Sequence, residues 1–384
     1  MKKYTILGDL ITPAKVVRCG KGNYPVLSMT MHDGIVLQSD RFKKSLASAD
    51  QSDYKVVEYG KLVIGFPIDE GVLYIQKVAP EGIMSPAYST WDVDTTRINP
   101  DFLELCLHSP QSMQYYKDKL RSTTARRRSI PTADLLALRI RTPDMESQLE
   151  AVAVARKVDE MIAIRHAQAT LLDQLVKSRF IELFGAITET VPLSYYIEAL
   201  NAGKSLAGEE ECPNKVLKTG ATTYDYFDAT QVKNLPDDYE PLEDHRIKTG
   251  DVIISRMNTA ELVGAAAYVW EAPERTYLPD RLWKAEIKET ACPIFIWQVL
   301  IQSSTKERIR QIASGTSGSM KNISKPGLLG IRVKKVDLAA QEQFAAFVAQ
   351  TDKSKYSSAA SIQVCRQAAN FLRQEWMTCQ TSNS

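Results

Sequence analysis

Ser129-Ile130-Pro131, followed by Leu135-Leu136-Ala137-Leu138-Arg139-Ile140, has a counterpart 193 positions further on. There the chain reads Asn322-Ile323-Ser324, followed by Leu328-Leu329-Gly330-Ile331-Arg332-Val333. With no gap, the same shift puts Asp144 on Asp337, Gln148 on Gln341, Ala153 on Ala346 and Asp159 on Asp352, and it places Pro86 on Pro279 and Phe102 on Phe295. The shift is close to half of the 384 residues. One large unit is therefore duplicated, in contrast to a solenoid, whose period is ~20–50 residues. Two similar surfaces held at a fixed separation follow from such a chain.

Outward from that stretch, each half has the same order of parts. First come short apolar runs punctuated by Gly, Pro, Asn and Asp, which predict strands: Lys55–Val57, Lys61–Gly65 and Gly71–Ile75, then Asp251–Ser255 and Gly264–Val269. Helices opened by proline follow at Pro100–Leu120 and Pro293–Ile312. Then come polar loops, 121–128 and 313–321, and strands at Leu135–Arg141 and Leu328–Lys334. A long helix ends each half. From Ser147 to Phe184 there is no Gly or Pro, and Gly185 stops the run. Val158, Ile162, Arg165, Ala169, Leu172, Val176 and Phe180 fall at alternating steps of three and four, a coiled-coil seam. The second helix, Gln341–Met377, carries a weaker seam: Phe344, Phe347, Val348, Ile362, Cys365, Ala369, Leu372 and Trp376. At 1.5 Å per residue each helix spans about 55 Å. A one-sided apolar stripe needs a partner, and the duplicate helix, laid antiparallel, supplies it.

Composition excludes several classes. The chain is too long for one core, and 44% apolar with 24% charged residues is ordinary for a globular protein. No window nears the ~18 apolar residues of a membrane span, and Tyr4–Leu7 is too short for a signal core, so a cytoplasmic location is expected. Six scattered cysteines without a CxxC predict reduced thiols and no metal site. A net charge of +2 demands that any nucleic-acid contact be a local basic patch or be shared with other subunits.

Fragments that imitate catalytic motifs are incomplete. Asn99-Pro100-Asp101-Phe102 is similar to the Asn-Pro-Pro-Tyr/Phe of amino-methyltransferases but lacks the second proline. Its repeat, Cys292-Pro293-Ile294-Phe295, keeps only the helix-opening proline. Asp280, Glu286 and Lys288 have the letters of a metal-dependent nuclease, yet the gap leaves too little chain to converge the carboxylates. Gly203-Lys204-Ser205 has Glu198 where a phosphate loop has its first glycine, and Gly315-Thr316-Ser317-Gly318 is no nucleophile elbow. The four histidines, His32, His108, His166 and His245, are dispersed. No catalytic residue and no metal ligand is assigned.

What remains are basic, hydroxyl-rich loops at matching places, suited to phosphates. In the first half Arg126, Arg127 and Arg128 close the loop, with Lys43 and Lys44 as further cations. In the second half the loop offers Thr316, Ser317, Ser319 and Lys321. Ser255, Arg256, Asn258 and Thr259 follow a strand, with Arg281 added, and Arg and Asn are the side chains suited to guanine and adenine edges. The matching region of the first half, Gly65–Asp69, differs in kind.

On these marks the chain resembles the DNA-specificity subunits of Type I restriction-modification enzymes. They are the duplicated module, the loop and strand Gly315–Val333, Gln341-Glu342-Gln343 opening the second helix, and the run Leu171–Gly185 closing the first. Asp251–Thr259 resembles many recognition modules. The resemblance covers nearly the whole chain. It implies an α+β fold: two similar β-rich target-recognition domains, 1–146 and 187–339, separated by two long helices, 147–186 and 340–384, in an antiparallel coiled coil with pseudo-two-fold symmetry. Each module would read one half of a bipartite double-stranded DNA target, and the helices would set the unread spacer. Val158, Ile162, Leu172, Val176, Phe180, Ile362, Leu372 and Trp376 would pair the helices and dock partners. The expected partners are two methylation subunits carrying S-adenosylmethionine, with restriction and translocation subunits, and no cofactor sits in this chain. The alternatives are the specificity subunit of a related multi-subunit restriction and methylation system, or a self-sufficient nuclease or methyltransferase with diverged motifs.

Overall fold

Hydrogen bonds at equivalent places cap each long helix and tie it to its module. The computed structural model describes residues 4–31, 33–41, 51–120, 128–315 and 320–377. Within it the long helices run Met145–Phe184 and Leu338–Met377, 40 residues each and in register with the repeat. Asp144 and Asp337 cap them, accepting at 2.9 Å from the backbone N–H of Ser147 and Ala340, where an anion also suits the positive helix end. The cap lowers the Asp144 pKa, chiefly through that backbone bond. Gln148 and Gln341 are buried one turn later. Gln148 Oε1 accepts from the Asn99 N–H at 2.7 Å while its Nε2 donates to the carbonyls of Pro143 and Arg97. Gln341 Oε1 accepts from the Cys292 N–H at 2.9 Å and its Nε2 donates to the Val336 carbonyl. Both glutamines thus satisfy the first N–H of a module helix, which has no partner of its own.

The chain packs as two compact units, residues 1–166 with 359–384, and residues 167–358. In the first, a four-stranded antiparallel sheet has the order Ile11–Pro13, Ser89–Val93, Leu62–Ile64, Leu73–Ile75. In the second the order is Ile197–Asn201, Leu282–Ile287, Val252–Ser255, Ala266–Tyr268, also antiparallel. Both central strands are buried on both faces, which is why they read as unbroken apolar runs. Their side chains alternate between two cores, as the pleat requires. Leu62 and Ile64 join the helical side with Phe102 and Leu107, while Val63 faces Leu27, Ile35, Val57 and Met84. Val252 and Ile254 join Phe295 and Leu300, while Ile253 faces Leu217, Ile247 and Leu278. Each module is therefore a sheet between a helical layer and a small second β layer. A separate strand pair, Tyr4–Ile6 with Arg139–Arg141 or Thr190–Pro192 with Arg332–Lys334, joins the start of each module to the strand entering the long helix.

Three sequence expectations need correction. The helices expected as single pieces are broken in two: Pro100–Leu107 and Pro110–Asp118, then Pro293–Ile301 and Ser303–Ile312. Pro110 cannot continue a helix and Ser109 caps a new one, whereas Gln302 breaks the second by an extended ψ of 139°. The strands expected from Leu135 and Leu328 begin later, at Arg139 and Arg332, because a helical turn precedes each: Thr132–Leu136 and Lys325–Leu329. The long helices start two and three residues before Ser147 and Gln341, at the aspartate caps.

Along the first long helix Val158, Ile162, Arg165, Ala169 and Leu172 are half-buried, and Val176, Phe180 and Phe184 are buried, so burial follows the seam. In the second unit Phe180 and Phe184 pack edge-on against Phe344 at 5.5 Å and around Phe295 at 6.1 and 5.4 Å. Asp173, seven residues earlier, meets Lys355, eleven residues after Phe344, at 2.8 Å. The two helix segments of this unit therefore run antiparallel. Ile362 is buried; the side chains of Leu372 and Trp376 lie outside the described residues.

Candidate nucleic-acid interface

The sheet of the second module delivers Arg256 at the end of the strand Val252–Ser255. Directly after it, Met257–Asn258 pairs with Lys321–Asn322, Met257 opposite Asn322 and Asn258 opposite Lys321. The Arg256 carbonyl accepts from the Ile323 N–H at 3.1 Å, and its own N–H donates to the Arg281 carbonyl at 3.0 Å. The strand end and the polar loop, 66 residues apart in sequence, thus form one corner. Ser314 and Asn322 exchange both backbone bonds at 2.9 Å and close the loop at its base. Gly315 has φ +130°, and a Cβ there would lie 2.6 Å from the Met320 carbonyl oxygen; only glycine serves.

Arg256 is half-buried, its guanidinium 5.8 Å from the centre of the Trp283 ring, and its Nε donates to Asn322 Oδ1 at 3.2 Å. This holds the plane of the fork and leaves the two terminal nitrogens as donors, the pair that bidentate reading of guanine uses. Asn258 Oδ1 accepts from the Thr259 N–H at 2.9 Å, which leaves its second lone pair and both amide N–H groups for a base edge. Lys321 Nζ donates to the Gly315 carbonyl at 2.6 Å. Thr259 and Arg281 are exposed. Ala260, Glu261, Arg310, Ala313 and Lys321 line an open groove of about 540 Å³ beside them.

The corner revises the residue set. Ser255 is fully buried and its hydroxyl has no described partner, so it belongs to the sheet and is removed from the contact set. Arg256, Asn258, Thr259, Arg281 and Lys321 are brought together. Thr316, Ser317, Ser319, Arg126, Arg127, Lys43 and Lys44 lie outside the described residues. Arg128 is described, and its guanidinium is taken by Asp69, at 2.8 and 2.9 Å, and by Glu70. The bond to Asp69 is the main reason its pKa is raised, so the charge is spent within the module. Trp283, Asn322 and Arg310 were not singled out from sequence as site residues. A tryptophan in a strand reads as core, and its place beneath Arg256 depends on strand register.

The fragments with a nuclease-like spacing go to separate structural duties. Asp280 accepts from Ser205, Glu286 accepts from Asn201, and Lys288 pairs with Glu198 at 3.3 Å. Among the described residues no group of three or more His, Cys, Asp and Glu side chains could hold a metal ion, and no helix is long and apolar enough to cross a membrane.

No family model matches the chain, and no curated protein matches it. Solved structures do. A Type-I restriction-modification system S subunit from M. genitalium is similar over 99% of this chain and 97% of its own, at 14% identity and a TM-score of 0.55. A chain from a type I R-M system, solved in work on complex assembly and conformational transition, is similar over 97% of both chains, at 13% identity and a TM-score of 0.58. The chain has the fold of these proteins from end to end.

Proposed function

We propose that this chain is the sequence-specific DNA-binding subunit of a Type I restriction-modification complex and performs no chemistry of its own. The observation that carries the reading is a contrast between equivalent places. The modules repeat down to single hydrogen bonds at Gln148 and Gln341, yet differ at the corner between strand end and returning loop. In the first the loop residue Arg128 is held by Asp69 and Glu70, whereas in the second the strand end carries Arg256, held by the Asn322 amide and the Trp283 ring. A shared scaffold with divergent corners is what reading two different half-sites requires. Modules 1–146 and 187–339 take one half of a bipartite target each, and helices 147–186 and 340–384 set the unread spacer. Arg256 and Asn258 read base edges; Thr259, Arg281 and Lys321 hold phosphates and fix register.

The first long helix carries exposed Met161, Ile164, Leu171, Leu175 and Ile181, apolar side chains suited to docking methylation subunits, which bring S-adenosylmethionine. Those subunits supply the cationic surface that a net charge of +2 does not. Restriction and translocation subunits complete the complex.

Mapping methylated bases in cells that express this chain with its methylation subunit tests the reading: a split motif is expected. Purified chain that cleaves or methylates DNA alone would overturn it in favour of a self-sufficient enzyme. Inserting about four residues, one helical turn, into both long helices should lengthen the spacer and leave the half-sites unchanged.

A further inference from the structure

The second module carries two tyrosines that its fold does not use. Tyr224 is 74% and Tyr226 54% exposed, and their rings stack at 6.2 Å with planes 14° apart. Neither hydroxyl is engaged by another described residue. Asp225 between them sits in the left-handed region at φ +63°, a conformation that costs a non-glycine residue free energy and persists only when its surroundings hold it. The surroundings do so at three points. The Asp225 carboxylate accepts from the Ala266 N–H at 3.3 Å and pairs with Lys306, and its carbonyl accepts from Trp297 Nε1 at 3.1 Å.

These anchors lie beside the Arg256 corner. Ala266 opens the strand that follows the 256–265 loop, and its neighbour Ala265 accepts from the Ser255 N–H at 2.7 Å. Lys306 lies one turn before Arg310, which lines the groove with Lys321. The aromatic pair is thus held at the same end of the sheet as Arg256, with Lys306 paired to the residue between the two rings.

We propose that Tyr224 and Tyr226 form a phosphate-contact platform that grips the DNA backbone beside the bases read by Arg256. Tyrosine hydroxyls are neutral donors of the kind that bind phosphate and sugar oxygens without reading sequence. Rings fixed to each other and to a triply anchored residue lose little freedom on binding. Asp225 is the positioning residue, its own charge balanced by Lys306. The proposal rests on the DNA-binding reading above.

The test uses the full chain assembled with its methylation subunits, and two duplexes: the mapped target and one scrambled in the half read by the second module. Y224F/Y226F removes only the hydroxyls and should weaken both duplexes alike, by about tenfold, with an unchanged salt slope because a neutral donor releases no counterion. R256A in parallel should cut the preference between the duplexes by roughly thirtyfold. Unchanged affinity in Y224F/Y226F, or a loss confined to the target duplex, would overturn the platform while leaving the DNA reading intact. Loss of subunit assembly with normal affinity in the assembled fraction would assign the pair to a protein contact instead. If wild-type complex does not prefer the target, the DNA reading fails and the platform with it.

Discussion

Arg128 and Arg256 stand on opposite sides of the same kind of corner, Arg128 on the returning loop of the first module and Arg256 on the strand end of the second, with opposite results. Arg128 lies on Asp69 and Glu70 and its carbonyl accepts from the Ile68 N–H. Arg256 lies on an amide and an indole. A carboxylate cancels a guanidinium, whereas an amide oxygen and a π face orient it and leave its charge available. One ion pair near the central strands is also inverted. In the first module Lys61, just before the central strand, pairs with Asp92 of the neighbouring strand; in the second Asp251, just before its strand, pairs with Lys284 at 3.8 Å. The duplication kept the geometry that closes each sheet and let the charges change.

That contrast can be broken at the part held common. Gln148→Ala and Gln341→Ala each strip partners from buried backbone groups, a cost of about 3 kcal/mol. Denaturant unfolding should give the same loss for both within error; a large inequality would mean the repeat is not energetic as well as geometric. Next comes the corner. Arg256→Ala should cost about 2 kcal/mol, roughly thirtyfold, in discrimination at the half-site of the second module, with the other half-site unaffected in methylation assays on singly mutated targets.

Arg128→Ala should act on stability instead. It leaves Asp69 without its main partner, so thermal unfolding shifts down while duplex affinity falls by less than in Arg256→Ala. A larger affinity loss at Arg128 would contradict the neutralised-corner reading. The smallest effect is expected at Asp251, whose pKa is raised first by burial, against a backbone hydrogen bond and Lys284 that lower it. An acid with a raised folded pKa binds its proton more tightly in the folded state. Its contribution therefore favours folding at low pH and falls as pH rises through the folded pKa. The stability of Asp251→Asn relative to wild type should accordingly increase from acid toward neutral pH, measured as the difference between paired melts.

The long helices were legible because a 3.5-residue seam and a 38-residue stretch without Gly or Pro leave little alternative, and burial follows that seam from Val158 to Phe180. The central strands were legible because two buried faces make an unbroken apolar run. The turns Thr132–Leu136 and Lys325–Leu329 were missed, since leucines in a short run fit a strand as well as a helix. In the candidate site Arg256 was legible as a strand-end arginine, but the duty of Ser255 was not. Successive strand residues face opposite ways, and which of them meets solvent is settled by what packs on the sheet.

By itself, then, the chain determined its duplication, its two long helices, and which side chains are candidates for phosphates and bases, because periodicity and residue chemistry are local properties. Tertiary structure alone decided which cations remain available. Asp69 and Glu70 reach Arg128 across 58 or 59 positions, and Asn322 reaches Arg256 across 66. Charge is cancelled by distance in space, a quantity set by strand register and loop closure.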